Sequence, residues 1–339
     1  MAPARIALDV MGGDKAPDAI LRGALAACDP QGRWKLPVER LLLVGDQAVI
    51  RERLAALGGD PGFASLHASQ VVGMGESPAS ALRGKPDSSI AKMIGATKQG
   101  AAGAAVSMGN TGAVVGAATL GLGTLPGVLR PGIAVTIKLT GKPLTIIDMG
   151  ALLEPKPESL LQFGVMGAIW SKALLGVAEP RVGLLNVGEE EGKGTDTLKA
   201  AWKLLQAAPV RFAGNVEGND LFQDKADVVV TDGFTGNVVL KLLEEFAGFM
   251  LKLTVGELAQ GGIQVPPTAL AGVKRSIDYS EYGGALLLGV NGVVIIGHGR
   301  SDETAVANAL ALGARALDAD VNGRIVAGLQ GAQRTAPAV

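Results

Sequence analysis

Short apolar runs that stop at glycine-containing turns recur along the chain, and most of these turns lead into a segment of helical periodicity. Arg5 to Val10 runs into Met11-Gly12-Gly13-Asp14, Ala104 to Ser107 into Met108-Gly109-Asn110-Thr111-Gly112, and Leu144 to Asp148 into Met149-Gly150-Ala151. Arg181 to Asn186 leads to Val187-Gly188-Glu189-Glu190, Ala226 to Thr231 leads to Asp232-Gly233-Phe234-Thr235-Gly236-Asn237, and Val293 to Ile296 leads to Gly297-His298-Gly299. Runs that are apolar at nearly every position suit strands covered on both faces. Helical patterns cover Ala16 to Ala27, Ala48 to Leu57, Ser89 to Gln99, Thr111 to Gly121, Glu158 to Leu175, Thr195 to Ala207, Asn237 to Ala259 and Ser301 to Asp318. Alternating strands and helices with right-handed crossovers predict an α/β fold, a doubly wound and mainly parallel sheet in an αβα sandwich. The C-terminal strand ends of such sheets line the crevice where ligands bind.

At 339 residues, the length prior is about two domains. No long linker divides the chain, so residues 1–339 read as one α/β domain of one or two lobes. A projecting helical tip is expected around 245–275 and a flexible tail at 330–339. The joint at Gln260 to Thr268, with Gly261-Gly262 and Pro266-Pro267, reads as a loop or tip. The 49 glycines have no fixed period, which excludes collagen-like architecture. Gln99 to Leu129 holds no charged residue, yet its glycines, Asn110 and Pro126 would break a spanning helix in lipid.

A formal net charge of −1 gives no general drive toward nucleic acid. One cysteine, Cys28, excludes an intrachain disulfide and points to a reducing, cytoplasmic setting. With two histidines, His67 and His298, and that single thiol, no metal site of the usual ligand types is expected, and no cofactor motif stands out. The N-terminus enters a strand after Met-Ala-Pro-Ala, which leaves no room for a signal peptide.

The turns themselves carry the candidate chemistry. Gly109-Asn110-Thr111-Gly112 and Gly233-Phe234-Thr235-Gly236-Asn237 combine close-approach glycines, hydroxyl and amide donors and a helix N-terminus, a natural site for phosphate. Ser88 and Ser89 precede a third helix in the same way. The competing reading makes the Thr and Asn side chains helix caps and the glycines mere turns. Arg83, Lys85, Lys138, Lys193 and Lys241 are candidate counter-charges, with Lys241 one turn beyond Asn237. Gly188 to Thr195 superficially resembles a nucleotide-binding P-loop, but its spacing is wrong and three glutamates would repel a polyphosphate. There is no Gly-x-Ser-x-Gly elbow, and Cys28 sits in an alanine-rich helical pattern that suits a buried hydrophobe. His298 suits a phosphate ligand or proton shuttle, or equally a turn cap. The segment Asn237 to Ala259 places Leu242, Leu243, Phe246, Phe249, Met250 and Leu253 on one stripe. With Leu270, Val273, Lys274 and Arg275 beyond it, this reads as a core or dimer helix pair, or as an apolar tip with basic flanks that touches a membrane.

Leu8 to Asp14, Ser107 to Ala113, Pro180 to Asn186, Gly188 to Gly194, Thr231 to Asn237 and Tyr282 to Gly289 together resemble, in order and across residues 5 to 325, the bacterial phosphate acyltransferases of the PlsX family. The resemblance implies the phosphotransacetylase/isopropylmalate dehydrogenase-like fold. It also implies transfer of a fatty acyl group from acyl carrier protein to inorganic phosphate, giving acyl phosphate for phospholipid synthesis. It further implies a cytoplasmic homodimer peripherally bound to the membrane surface, which passes its product to a membrane-embedded glycerol-3-phosphate acyltransferase. Hydrogen phosphate is itself an adequate nucleophile and a thiol leaves readily, so the protein needs only to hold and aim the reactants. The residues expected to take part catalytically are Asn110, Asn237, Lys241 and His298. Those expected to bind phosphate or substrate are Gly12, Gly13, Asp14, Ser88, Ser89, Gly109, Thr111, Gly112, Lys193, Asp232, Thr235 and Gly236. The chain departs from the family at Leu152, where an Asn is usual, which removes a side-chain amide from that turn. An isopropylmalate-type dehydrogenase is disfavoured because Asn237 stands where a metal-binding Asp is needed. A short-chain phosphate acetyl or butyryl transferase and a non-catalytic scaffold that binds carrier protein remain the alternatives.

Overall fold

Apolar runs such as Ile6-Ala7-Leu8 and Val228-Val229-Val230 are wholly buried, as strands sandwiched between helices must be. The computed structural model describes residues 4–266, 269, 272 and 279–335. In chain order the strands are β1 (Ile6–Asp9), β2 (Leu41–Gly45), β3 (Ala64–His67), β4 (Ala104–Ser107), β5 (Gly132–Ile137), β6 (Leu144–Ile147), β7 (Arg181–Leu185), β8 (Arg211–Val216), β9 (Val228–Val230), β10 (Ala285–Leu288) and β11 (Val293–Ile296). The helices are α1 (Asp18–Cys28), α2 (Gln47–Ala56), α3 (Pro78–Gly84), α4 (Ser89–Lys98), α5 (Thr111–Leu122), α6 (Pro157–Leu174), α7 (Asp196–Ala207), α8 (Gly233–Gln260), α9 (Glu303–Asp318) and α10 (Val321–Thr335).

The chain divides into two compact units. Unit 1 comprises Met1–Pro131 and Tyr282–Ala327. Its strands lie in the order β3-β2-β1-β4-β11-β10, parallel throughout except where β10 meets β11. Ile6 aligns with Leu41 on one side and Ala104 on the other, so β1 sits centrally and its C-terminal Asp9 emerges beside Ser107 and the turn after it. α1 packs on α9 through Gly23, where any Cβ would overlap Val306. The core is filled by Leu8, Ile20, Leu21, Met93, Val106 and Leu310.

Unit 2 comprises Gly132–Glu281 and Gly328–Val339. Its order is β5-β6-β9-β7-β8, parallel except for β5 against β6. Phe163 and Trp170 of α6 fill its core, and Trp170 Nε1 donates to Thr136 Oγ1 at 3.3 Å. α8 is a single helix of 28 residues, about 42 Å long at 1.5 Å per residue. Only Gly233, Gly236 and Leu240 of it are buried. The expected partner residues Leu270, Val273, Lys274 and Arg275 lie outside the described residues, while α10 continues through Thr335 into the segment read as a tail.

Five strands lie outside the turns singled out in the sequence: β2, β3, β5, β8 and β10, although β2, an apolar run ending at Gly45 just before α2, fits the same pattern. β3 alternates half-buried and exposed positions, and β8 carries a positive-φ Gly214 where its register slips against β7. Helix α3 is only seven residues, too short to show periodicity. Among the described residues no helix is long and apolar enough to cross a membrane, and no group of three or more His, Cys, Asp or Glu is arranged to hold a metal ion.

Candidate functional site

In unit 1 three turns meet at the C-terminal ends of β1, β4 and β11. A Cβ on Gly12 would overlap an Asp9 carboxylate oxygen and lie 2.9 Å from Gly109 Cα, so the first two turns touch backbone to backbone. Gly13, at φ 110°, turns the chain so that Asp14 N–H donates to Gly299 O at 2.8 Å, which ties in the third. Beneath them Asp9 is fully buried. Its Oδ1 accepts from Met11 N–H at 3.1 Å and its Oδ2 from the Ser107 hydroxyl at 2.7 Å. Burial pushes this carboxyl above the usual carboxylate range, opposed by hydrogen bonds from Ser107, Ser89 and the Met11 and Gly12 amides.

Several side chains expected to face phosphate here have other partners. Ser88 caps α4 by accepting from Ala91 N–H at 3.3 Å, and Ser89 hydrogen-bonds Asp9; both are buried. Asn110 caps α5 through Oδ1, which accepts from Ala113 N–H at 3.0 Å, while its Nδ2 donates to the carbonyls of Gly73, Met74 and Glu76. These short polar residues satisfy backbone before they can meet a ligand, which is the capping reading. What α5 retains are its first-turn N–H groups at Thr111 and Gly112, which lack intrahelical acceptors. Gly109 N–H donates to Ser107 Oγ at 3.0 Å. Gly112 is pressed against Pro78, whose Cγ lies 2.5 Å from where a Cβ would stand. His298 Nδ1 accepts from Arg300 N–H at 3.2 Å, a turn-stabilising bond that leaves the ring half-exposed beside Gly299.

Unit 2 repeats the arrangement. Asp148, directly after β6, is fully buried, and its carboxylate accepts four backbone N–H groups. Oδ1 takes Ile133 at 2.8 Å, Gly150 at 3.1 Å and Ala151 at 3.0 Å, and Oδ2 takes Leu152 at 2.6 Å. Burial raises this carboxyl too, against those four bonds. The neighbouring strand β9 delivers the start of α8 onto the same turn: Gly233 N–H donates to Leu152 O at 2.9 Å, and a Cβ on Gly236 would overlap the Asp148 carbonyl oxygen. Leu152 thus contributes through its backbone, whatever its side chain.

Asp232 caps α8, its Oδ1 accepting from Thr235 N–H and its Oδ2 from Thr235 Oγ1, both at 2.8 Å. Asn237 is exposed and lies against Gly150, where a Cβ would stand 3.8 Å from Asn237 Oδ1. Lys241 pairs with Glu244 at 3.1 Å on its own helix, away from the turn. Lys193 sits on the loop after β7, 3.8 Å from Glu190, where Asn186 Nδ2 donates to its carbonyl at 3.2 Å. The structure therefore groups Asp232, Thr235, Gly236 and Asn237 with Asp148, and gives both lysines local partners. Outside these turns, Cys28 is buried with its thiol pushed up to about 11, first by burial and then by Glu39.

The sequence reading passed over Asp9, Ser107 and Asp148. The signal was a lone carboxylate at the end of an apolar run, with glycine two or three residues on, present in both units.

A family model described as fatty acid synthesis protein matches residues 4–324. The chain is 46% identical over 313 residues to a phosphate acyltransferase of Heliobacterium modesticaldum, covering 90% of this chain and 92% of the relative. It is 45% identical over 311 residues to a phosphate acyltransferase of Pelotomaculum thermopropionicum, covering 90% and 89%. Among solved structures, a phosphotransacetylase from Streptococcus pyogenes superposes with a TM-score of 0.63 at 15% identity, over 93% of this chain and 94% of that one, which shows a shared fold. With an α/β fold of this type and close relatives of one name across nearly its whole length, the chain belongs to the phosphate acyltransferase family and is an acyltransferase.

Proposed function

We propose that the protein transfers a fatty acyl group from acyl carrier protein to inorganic phosphate, supplying acyl phosphate for phospholipid synthesis. One observation carries this reading: α8 begins at a turn of the kind that binds anions and continues as an exposed apolar stripe. Phe234, Val238, Leu242, Phe246, Phe249 and Leu253 are 46–64% exposed along it. A phosphate-binding end and a lipid-compatible length on one helix suit an enzyme that joins phosphate to a long acyl chain. The same stripe supports a homodimer or contact with a membrane surface, where the product would pass to a membrane-embedded glycerol-3-phosphate acyltransferase.

In this mechanism an oxygen of bound hydrogen phosphate attacks the thioester carbonyl carbon. The carbonyl electrons move onto oxygen, and the tetrahedral oxyanion collapses with loss of the carrier thiolate. Thiols with a pKa near 8.5 leave with little acid assistance, so holding and aiming the two reactants supplies most of the rate. Donors are available within each unit: the Thr111 and Gly112 N–H groups at the start of α5 in unit 1, and the exposed Asn237 amide beside the Asp148 turn in unit 2. Gly12, Gly13, Gly109, Gly112 and Gly236 let the turns pack closely against their neighbours. Asp14, Thr111, Thr235 and His298 complete the rims, while Ser88, Ser89, Asn110 and Asp232 hold the turns in shape.

The test is to incubate purified protein with long-chain acyl carrier protein and phosphate, and trap acyl phosphate as its hydroxamate. Phosphate-dependent thioester loss with hydroxamate formation is expected. Turnover with acetyl-CoA alone would instead identify a short-chain enzyme, and no turnover with any donor would identify a scaffold.

A further inference from the structure

The segment between β3 and α3 is anchored more heavily than a connecting loop requires. Asn110 Nδ2 donates to Met74 O at 3.0 Å and to Glu76 O at 2.9 Å, with a longer bond to Gly73 O. From the other side Lys85 Nζ grips the Glu76 carboxylate and donates to Val71 O at 2.7 Å. The Glu76 carboxylate turns back to accept from Gly73 N–H at 3.2 Å. The result is a strap from Val71 to Glu76 fixed to Asn110 at the start of α5 and to Lys85 just after α3.

That strap puts an apolar side chain where its neighbours are polar or glycine. Met74 Cε lies 2.5 Å from where a Cβ of Gly299 would stand, so its thioether covers Gly299 beside Asp14. Met74 and Val71 are each 40% exposed. Exposed methionine is flexible and polarisable, and adapts to apolar surfaces of varied shape. Asn110, buried at the base, makes four bonds with one side chain, and three of them serve the strap.

We propose that Asn110 is a positioning residue that holds the Val71–Glu76 strap as one wall of the unit 1 site, and that Met74 on this wall contacts the apolar part of the acyl donor and sets chain-length preference. The inference rests on the acyl-transfer reading above and names the residues of unit 1 that select the donor.

Two measurements on the full-length protein test it. The first needs no turnover. Asn110→Asp keeps an oxygen to cap Ala113 but replaces the donor by a carboxylate facing three carbonyls. Amide hydrogen exchange is expected to accelerate at residues 73–76 while the first turn of α5 stays protected; unchanged exchange at 73–76 would overturn the positioning role. The second compares kcat/KM for long-chain and short-chain acyl donors. Met74→Ala is expected to lower the long-to-short ratio about tenfold, the scale of one or two lost methylene contacts. Lys85→Gln, which frees the strap from its other anchor, is expected to shift the ratio the same way. A ratio within about twofold of wild type in Met74→Ala would overturn the specificity role while wild-type turnover stood. Absence of turnover in the wild type would sink the acyl-transfer reading itself, and the specificity role with it.

Discussion

Replacing Gly236 by alanine tests whether the start of α8 is interlocked with the Asp148 turn. In an exposed helix interior this change stabilises by about 0.5–1 kcal/mol, because alanine loses less backbone entropy on folding. At Gly236 the new methyl would overlap the Asp148 carbonyl oxygen and lie 2.9 Å from its carbon. That carbonyl has little freedom to retreat, because its own side chain is held by the amides of Ile133, Gly150, Ala151 and Leu152. Overpacking costs about 1–3 kcal/mol where side chains can shift, and backbone yields less readily. Losing the bond from Gly233 N–H to Leu152 O adds about 1 kcal/mol. Set against the helix-propensity gain, the net loss comes to about 2–3 kcal/mol, or a fall of about 1 M in the urea midpoint. Gly256, on the same helix with nothing within 4 Å of its added Cβ, is the control and should gain slightly. Tryptophan fluorescence reads the result, since Trp170 and Trp202 both lie in unit 2. If Gly236→Ala matched Gly256→Ala in sign, the interlock would be refuted. If it unfolded early yet kept the wild-type KM for phosphate, the turn would be structural only.

Asp148→Asn should destabilise by about 1–3 kcal/mol, because an amide turned to satisfy one side must aim a donor at another N–H; Asp9→Asn should cost less, since the Ser107 hydroxyl can reverse its role. Burial holds both carboxyls above their unfolded range, so their protonated forms favour folding and stability falls as pH rises from about 4 through the elevated range. Urea titrations of Asp9→Asn across that range should show a shallower decline than the wild type, and an equal or steeper slope would contradict the assignment. Asn237→Ala should raise the KM for phosphate with little change in melting temperature, because the side chain is exposed; steady-state kinetics with phosphate varied would settle it. Leu253, 46% exposed, should tolerate Leu253→Asp without unfolding, while sedimentation with anionic vesicles should show weaker binding if the stripe meets lipid.

The glycine turns were legible because a buried strand must end, and only a few residue types allow so sharp an exit. Strands β1, β4, β6, β7, β9 and β11, parallel to their neighbours except where β6 meets β5 and β11 meets β10, announce themselves by continuous apolar character. Edge strands do not: β3 is half-exposed, and β8 includes Gly214 in a conformation closed to most residues. The candidate turns were placed correctly at strand ends, yet what individual side chains do there was hidden. Asn110 and Ser88 each carry groups that could serve a ligand or a backbone, and the spacing of letters says nothing about which carbonyl Asn110 meets or which N–H Ser88 accepts from. The buried carboxylates escaped notice for a related reason. Asp9 and Asp148 look like ordinary strand-end aspartates until the fold brings a second turn over each of them.

The caps at both helix starts have a further bearing on how this protein can vary over time. With Ser88, Asn110 and Asp232 occupied in shaping the loops, the anion recognition proposed above would fall largely to peptide hydrogens, which every amino acid but proline supplies alike. Drift cannot delete such ligands one by one; it can only nudge them out of alignment. Loss of affinity should then be graded, and compensable by second changes that restore the local curvature of the main chain.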